Sequence, residues 1–290
     1  MKKYEVENHE PSYLPEDSDW ELVWADEFDG TELDRTKWDF RLDFWGKRSP
    51  TFSEDVILKG DGLLRLPLVF DGKDYKSAHM QTGSLSYDIP KDTDGFWPFG
   101  QFKEPKFMHK FGYYEIRCKL PKNEGWHAAF WLQAPGVGSH PDPKYCGIEV
   151  DIMESYRQPT EGIVISGIGY GGYGKDSKWP GHFSFPVEST EDFHTYAVDW
   201  SENGYVFYFD GKETGRRMAD EYPVSHVEQF ILVSTEVHGY HRAFCNEAPE
   251  SDASGNANVW CGKPISSLAR ATLPDEFVVD YVRVFDRVEK

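Results

Sequence analysis

The sequence predicts an all-β chain folded as a two-sheet antiparallel sandwich, and three observations predict it. Short segments rich in β-branched and aromatic residues recur along the whole length, no stretch sustains a helical stripe, and turn-forming Gly, Asn and Asp residues punctuate the segments. A length of 290 residues suits one such sandwich, expected over residues 20–290. Residues 1–19 hold few apolar side chains and two prolines, so they should run over the surface as an N-terminal arm.

In chain order, Trp20–Phe28 alternates well enough for a first strand, and Thr31–Asp34 should start a short helical turn before Trp38. Val56–Lys59 and Leu63–Leu68 flank Gly60-Asp61-Gly62, a hairpin pattern. Ala78–Tyr87 is the next candidate strand, followed by an aromatic loop over 92–110 that contains Phe96-Trp97-Pro98-Phe99. Strands at 112–120 and 127–133 lead through a Gly- and Pro-bearing loop, 134–146, to an acidic strand at 147–155. Ile163–Tyr170 is its expected neighbour, with a Gly/Tyr-rich loop to Pro180. Thr195–Trp200, Tyr205–Phe209, Phe230–Val237 and Val278–Val284 complete the set, with turns at Asn203-Gly204 and Asp210-Gly211.

Composition narrows the function. The 31 Lys and Arg against 50 Asp and Glu leave a formal net charge of −19, which argues against nucleic acid or an anionic membrane as partner. No apolar run approaches the length that crosses a bilayer. Aromatic residues make up 16% of the chain, enough to build a core and to line a sugar-stacking groove as well. The start, Met1-Lys2-Lys3-Tyr4-Glu5-Val6-Glu7-Asn8, is charged but lacks the apolar segment of a signal peptide. A cytoplasmic chain is one expectation, and a secreted or cell-surface one whose leader is absent from this sequence is the other. Four cysteines are too few for a disulfide framework; Cys245 and Cys261 flank an acidic loop and are either bridged or two free thiols. No Cys or His spacing suggests zinc.

The segment that needs a reason is Gly147-Ile148-Glu149-Val150-Asp151-Ile152-Met153-Glu154-Ser155. An unpaired buried carboxylate is costly, and here three interrupt a run of Ile, Val and Met. Regular alternation puts Glu149 and Asp151 on one face and Glu154 on the other; one bulge after Asp151 returns Glu154 to the face of the first two. Two glutamates about four strand steps apart, roughly 13 Å between Cα atoms, could then lean together to a carboxyl separation of roughly 5 Å. That is the spacing of a glycosidase in which one acid attacks the sugar and the other protonates the leaving oxygen. A cation site or a solvated acidic edge are the alternatives that spacing alone leaves open.

Glu149-Val150-Asp151-Ile152-Met153-Glu154 resembles the active-site signature of glycoside hydrolase family 16 in its bulged form, found in laminarinases, agarases and carrageenases. The resemblance extends to Trp24-Ala25-Asp26-Glu27-Phe28-Asp29-Gly30, to Gly112–Pro121, to Gly125–Leu132, to His194–Trp200, to Tyr208–Gly211 and to Asp280–Phe285, in the expected order over about residues 20–286. It implies a concanavalin-like jelly roll with a concave cleft, and an endo-acting, retaining hydrolase of a polysaccharide. A β-glucan, β-1,3 or mixed β-1,3/1,4, is the expected substrate, with a galactan of the agar, carrageenan or porphyran type as the rival and a non-catalytic sugar-binding sandwich as the alternative of another class. By motif position Glu149 is the nucleophile, Glu154 the general acid/base and Asp151 the partner between them. No cofactor is implied for catalysis, and a monomer is expected.

The resemblance also implies a sugar-stacking aromatic in the segment before the signature. Trp126 is expected in the cleft, while Trp131 suits cleft or core equally; His127 could bond a sugar hydroxyl or be a satisfied core residue. Trp45, Trp97, Tyr170, Trp179 and Trp260 lie in loops long enough to wall a groove. Laminarinases of the family carry a pair of histidines in the strand after the signature, but Ile163-Val164-Ile165-Ser166-Gly167-Ile168-Gly169-Tyr170 has none. Ser166 or Tyr170 must then do that polar work, or it is absent, which weighs against an unbranched β-1,3-glucan. Many members hold a structural calcium through an Asp of the last strand; Asp280 holds that position and Glu27 could join it, although a solvated Asp is the plainer reading.

Overall fold

The computed structural model describes residues 1–41, 43–44, 47–48, 51–83, 104–156, 163–172, 176–187, 192–237 and 266–288. Trp45, Trp97, Trp260 and the pair Cys245 and Cys261 lie outside them.

Two antiparallel sheets stack face to face. The first runs in the order Phe183–Pro186, Ile163–Gly169, Glu149–Tyr156, Trp126–Gln133, Phe230–Val237, Tyr75–Gln81. The second runs Leu64–Phe70, Asp275–Val288, Gly112–Lys119, His194–Ser201, Gly204–Phe209, Lys212–Met218, with Asp19–Asp26 also paired to Asp275–Val288. The strand Tyr75–Gln81 joins them, pairing Tyr75 with Phe70 on one side and His79 with Ser234 on the other. Between the sheets, Phe130, Val150, Ile152, Val164 and Ile168 meet Tyr114, Ile116, Tyr196, Trp200, Phe207 and Val282, all fully buried. Alternation along each strand produces this layer, since every second residue faces the partner sheet. A strand such as Phe230–Val237 is buried on both faces: Ile231 and Val233 enter the core, while Ser234 and Glu236 lie on the opposite face.

Several boundaries differ from expectation. The short turn expected before Trp38 is present but starts at Asp34, whose carbonyl accepts from Lys37 and Trp38 N–H and whose carboxylate accepts from Thr36 N–H. Phe183–Pro186 and Lys212–Met218 are strands that the sequence did not announce. Residues 1–19 form a small hairpin of Lys2–Tyr4 with Ser12–Leu14, docked on the outer face of the second sheet. Arg283, wholly buried, donates to the Glu10 carbonyl and to Ser12, Tyr281 donates to the Pro11 carbonyl, and Tyr113 to the Tyr13 carbonyl. The arm thus covers a polar layer that the sheet could not leave buried unpaired. Glu115 belongs to that layer and accepts from Tyr281, while Arg117, two residues on, pairs with Asp280. Among the described residues no helix is long and apolar enough to cross a membrane.

Candidate active site

The acidic strand carries the expected bulge. Against Trp126–Gln133, Asp151 pairs with Trp131 but Met153 pairs with Phe130, so two steps on one strand meet one on the other. Against Ile163–Gly169, Asp151 pairs with Gly167 and Glu154 with Ile165. Ile152 and Met153, consecutive residues, are both fully buried in the core. That double insertion reverses the strand's phase, and Glu154 therefore lies on the same face as Glu149 and Asp151. Asp151 and Glu154 are buried and Glu149 is partly open to solvent.

The neighbouring strand supplies the floor. His127, Ala129, Trp131 and Gln133 share the acids' face, because Ala129 pairs with Glu154 and Trp131 with Asp151. Gln133 donates to Glu149 Oε2 at 3.3 Å, and His127 Nε2 lies 2.8 Å from Glu154 Oε1. Trp131 donates to Ser234 Oγ at 3.2 Å, with the Arg41 guanidinium 5.5 Å over its ring and the His79 ring 5.9 Å away.

On the other flank the sheet offers no side chain beside Glu149 and Asp151, while Ile165 stands beside Glu154. Gly167 and Gly169 face Asp151 and Glu149, and their places are filled from the next segment. A Cβ on Gly167 would stand 2.8 Å from His182 Cδ2, and one on Gly169 would stand 2.3 Å from the Trp179 ring. The two rings lie 6.3 Å apart, and Trp179 is 43% exposed. His182 is the residue that sequence reasoning missed. It stands where the strand's own histidines were sought, within 4.8 Å of both Asp151 and Glu154 oxygens. The available signal was the pair of glycines inside a strand, which marks close approach by another group.

Three carboxylates in so small a space do not all ionise freely. Burial, then the Glu154 charge, push Glu149 up to about 8, against the pull of Arg41 and the Gln133 hydrogen bond. Burial, then Glu154 and Glu149, push Asp151 well above the ordinary carboxylate range, with no cation pulling it back. Burial and mutual repulsion thus keep the three carboxyls from ionising together, while Arg41 and Gln133 favour the charged form of Glu149 over that of Asp151. Burial lowers His127, but the bond and charge of Glu154, with Glu236 behind, outweigh it and raise its pKa. The hydrogen bond between the His127 ring and Oε1 fixes the orientation of Glu154.

Stability should carry this signature. A carboxyl that loses its proton at 4.5 when unfolded but at about 8 when folded stabilises the fold at low pH, and that contribution drains away as pH climbs between the two values. The Glu149→Gln amide never ionises. By thermal melts it should lie above the parent at about pH 8 and level with it at about pH 4.

Other expected site residues fall elsewhere. Trp126 is fully buried on the opposite face, packed with Leu68, Val237 and Leu268, so it is a core residue and not a cleft wall. A shift of one residue decides this, since neighbours on a strand point to opposite faces. Tyr170 packs against the core for the same reason, and Ser166 is buried and donates to the Ile152 carbonyl. Neither takes the place of a cleft histidine. The calcium reading of Asp280 and Glu27 also fails its fit. Arg117 claims Asp280 and the Arg283 guanidinium takes both oxygens of Glu27. A cation there would have to displace two guanidinium groups.

Comparison with known proteins agrees with this geometry. The family model described as Glycosyl hydrolases family 16 matches residues 73–234, more than half the chain and the span from the joining strand to Ser234 in the cleft floor. A β-glucanase of Rhodothermus marinus is 26% identical over 287 residues, covering 93% of this chain and 86% of that protein. A glucan endo-1,3-β-glucosidase A1 of Niallia circulans is 28% identical over 215 residues, covering 66% of this chain but only 28% of that longer protein. The laminarinase catalytic domain of Thermotoga maritima superposes with a TM-score of 0.64 at 24% identity, covering 93% of this chain and 100% of the domain, a likeness of fold. With the family match spanning both strands that carry the three acids and the floor beneath them, the chain belongs to glycosyl hydrolase family 16.

Proposed function

We propose that this chain is an endo-acting glycoside hydrolase that retains anomeric configuration and cuts internal β-linkages of a β-glucan. The observation that carries the reading is the bulge at Ile152–Met153, which sets Glu149, Asp151 and Glu154 on one face. Ionised Glu149 attacks the anomeric carbon while Glu154 gives its proton to the departing glycosidic oxygen, leaving a glycosyl ester on Glu149. Glu154, now a carboxylate, then takes a proton from water, whose oxygen attacks the same carbon and frees Glu149. Nucleophile, acid and base are all side chains of one chain, so the reaction needs no cofactor and suits a monomer. Endo action fits the placement of the acidic strand inside its sheet, with two strands on one side and three on the other, so a polymer can extend both ways from the cut. The β-glucan class rests on the two relatives whose names specify glucan.

A proton NMR time course on a soluble oligosaccharide tests the mechanism. Retention yields the β-anomer first, with α arising by mutarotation. Initial α-anomer would mean a carboxyl separation of about 6.5–9.5 Å instead of about 5–5.5 Å, and would overturn the assigned roles. A polysaccharide panel with product sizing tests the substrate. Oligosaccharides released from an agar-type galactan and not from β-glucans would move the assignment, and binding without any cleavage would leave a sugar-binding sandwich.

A further inference from the structure

Beside the acid/base the cleft holds a set of donors that proton transfer alone does not use. One oxygen each of Asp151 and Glu154 and one ring nitrogen of His182 lie within 4.8 Å of one another. Asp151 is 2% exposed, and its Oδ2 has no hydrogen-bond partner among the described residues. A buried carboxyl oxygen without a hydrogen-bond partner is a standing cost, and the Asp151 carboxyl lies beside an imidazole and a second carboxyl, a donor set that a cation would satisfy.

We propose that Asp151, Glu154 and His182 form a site for a zinc-class divalent cation, and that its binding switches catalysis off. The inference rests on the reading of Glu154 as acid/base. An ion held by that carboxylate leaves no proton for the leaving oxygen. Donor chemistry selects the metal: one nitrogen with two carboxylate oxygens matches zinc, whereas calcium and magnesium ask for six or more oxygens. Zinc bonds of about 2.0–2.2 Å in a tetrahedron put donor atoms about 3.3 Å apart, so the three groups need to close by about 1.5 Å at most. His182 is exposed and stands outside the sheet over Gly167, so its ring can make that move without disturbing a strand. Glu154 is already oriented through Oε1 by His127, which leaves the ion to compete for a preset carboxylate. The outward side of the cluster is the cleft itself, which supplies water as the remaining ligand.

The test uses the full chain and zinc chloride, with calorimetry for binding and polysaccharide hydrolysis for function. Zinc should bind once per chain and inhibit hydrolysis, a chelator should restore it, and magnesium or calcium at the same concentration should do neither. His182→Gln and Asp151→Asn should each weaken zinc binding at least about tenfold, the scale on which even outer-shell partners of a metal act. His182→Gln should weaken inhibition in parallel. Equal zinc affinity in the parent and in both variants would overturn the site, as would absence of binding at about millimolar zinc. Calorimetry needs no turnover, so a chain that binds zinc through these residues but cuts no polysaccharide would sink the proposed activity and keep the site.

Discussion

Glu149→Gln should be inactive on every substrate, whereas Glu154→Gln should be inactive only where the leaving group needs a proton. The two losses differ in kind. Without Glu149 there is no oxygen to form the glycosyl ester, and no leaving group compensates. Without Glu154 the ester can still form if departure is easy, so an activated aryl glycoside should be attacked at near-parental rate while polysaccharide turnover falls by about 10²–10⁴. The aryl reaction should then stall, since the base that activates water has gone. A burst of aryl alcohol followed by slow turnover is the expected trace. Near-normal rates for Glu149→Gln on any substrate would show the roles to be misassigned.

Trp126→Ala and Trp131→Ala should separate cleanly, one in stability and the other in affinity. Trp126 is wholly buried against Leu68, Val237 and Leu268, with Tyr75 edge-on at 6.2 Å. Emptying that site should cost about 3–5 kcal/mol, a large share of the stability of any domain. Trp126→Phe should cost far less, because the Trp126 indole N–H has no partner among the described residues and its loss removes an unpaired donor. Trp131 lies on the acids' face beneath Arg41, so its removal should weaken oligosaccharide affinity by about 1–3 kcal/mol, borrowing the scale of base–aromatic stacking. Melting curves and oligosaccharide titrations on the same three variants decide it. A large affinity loss for Trp126→Ala with an unchanged melting temperature would put that ring back in the cleft.

The strands that face the core were legible because their alternation is forced by burial, and the acidic strand because nothing but function explains its carboxylates. Lys212–Met218 and Phe183–Pro186 were not legible. The first reads Lys-Glu-Thr-Gly-Arg-Arg-Met, has no fully buried residue, and exists because Gly204–Phe209 offers it an unpaired edge. Such a strand is specified by its partner and leaves no periodic trace of its own. The bulge was deducible from within one strand, since only one extra residue brings Glu154 to the face of Glu149. The parity of Trp126–Gln133 was not, because it depends on which residue of that strand meets Asp151, and register across strands is not written in either sequence alone. His182 fell outside reach for a related reason. It reaches the acids across an intervening strand, by filling a vacancy at Gly167.

That vacancy bears on how such a groove can change over generations. Side chains built into the sheet answer to two masters, because altering one shifts the core packed on its other face. Trp179 and His182 belong to neither sheet's interior, yet they border the acids, over strand positions left blank by glycine. Mutation in the 176–182 segment can therefore reshape the space beside Glu149 and Asp151 with little burden on folding. Specificity and scaffold are written in separate stretches of the gene, and a library confined to the first should yield altered preferences among variants that mostly still fold.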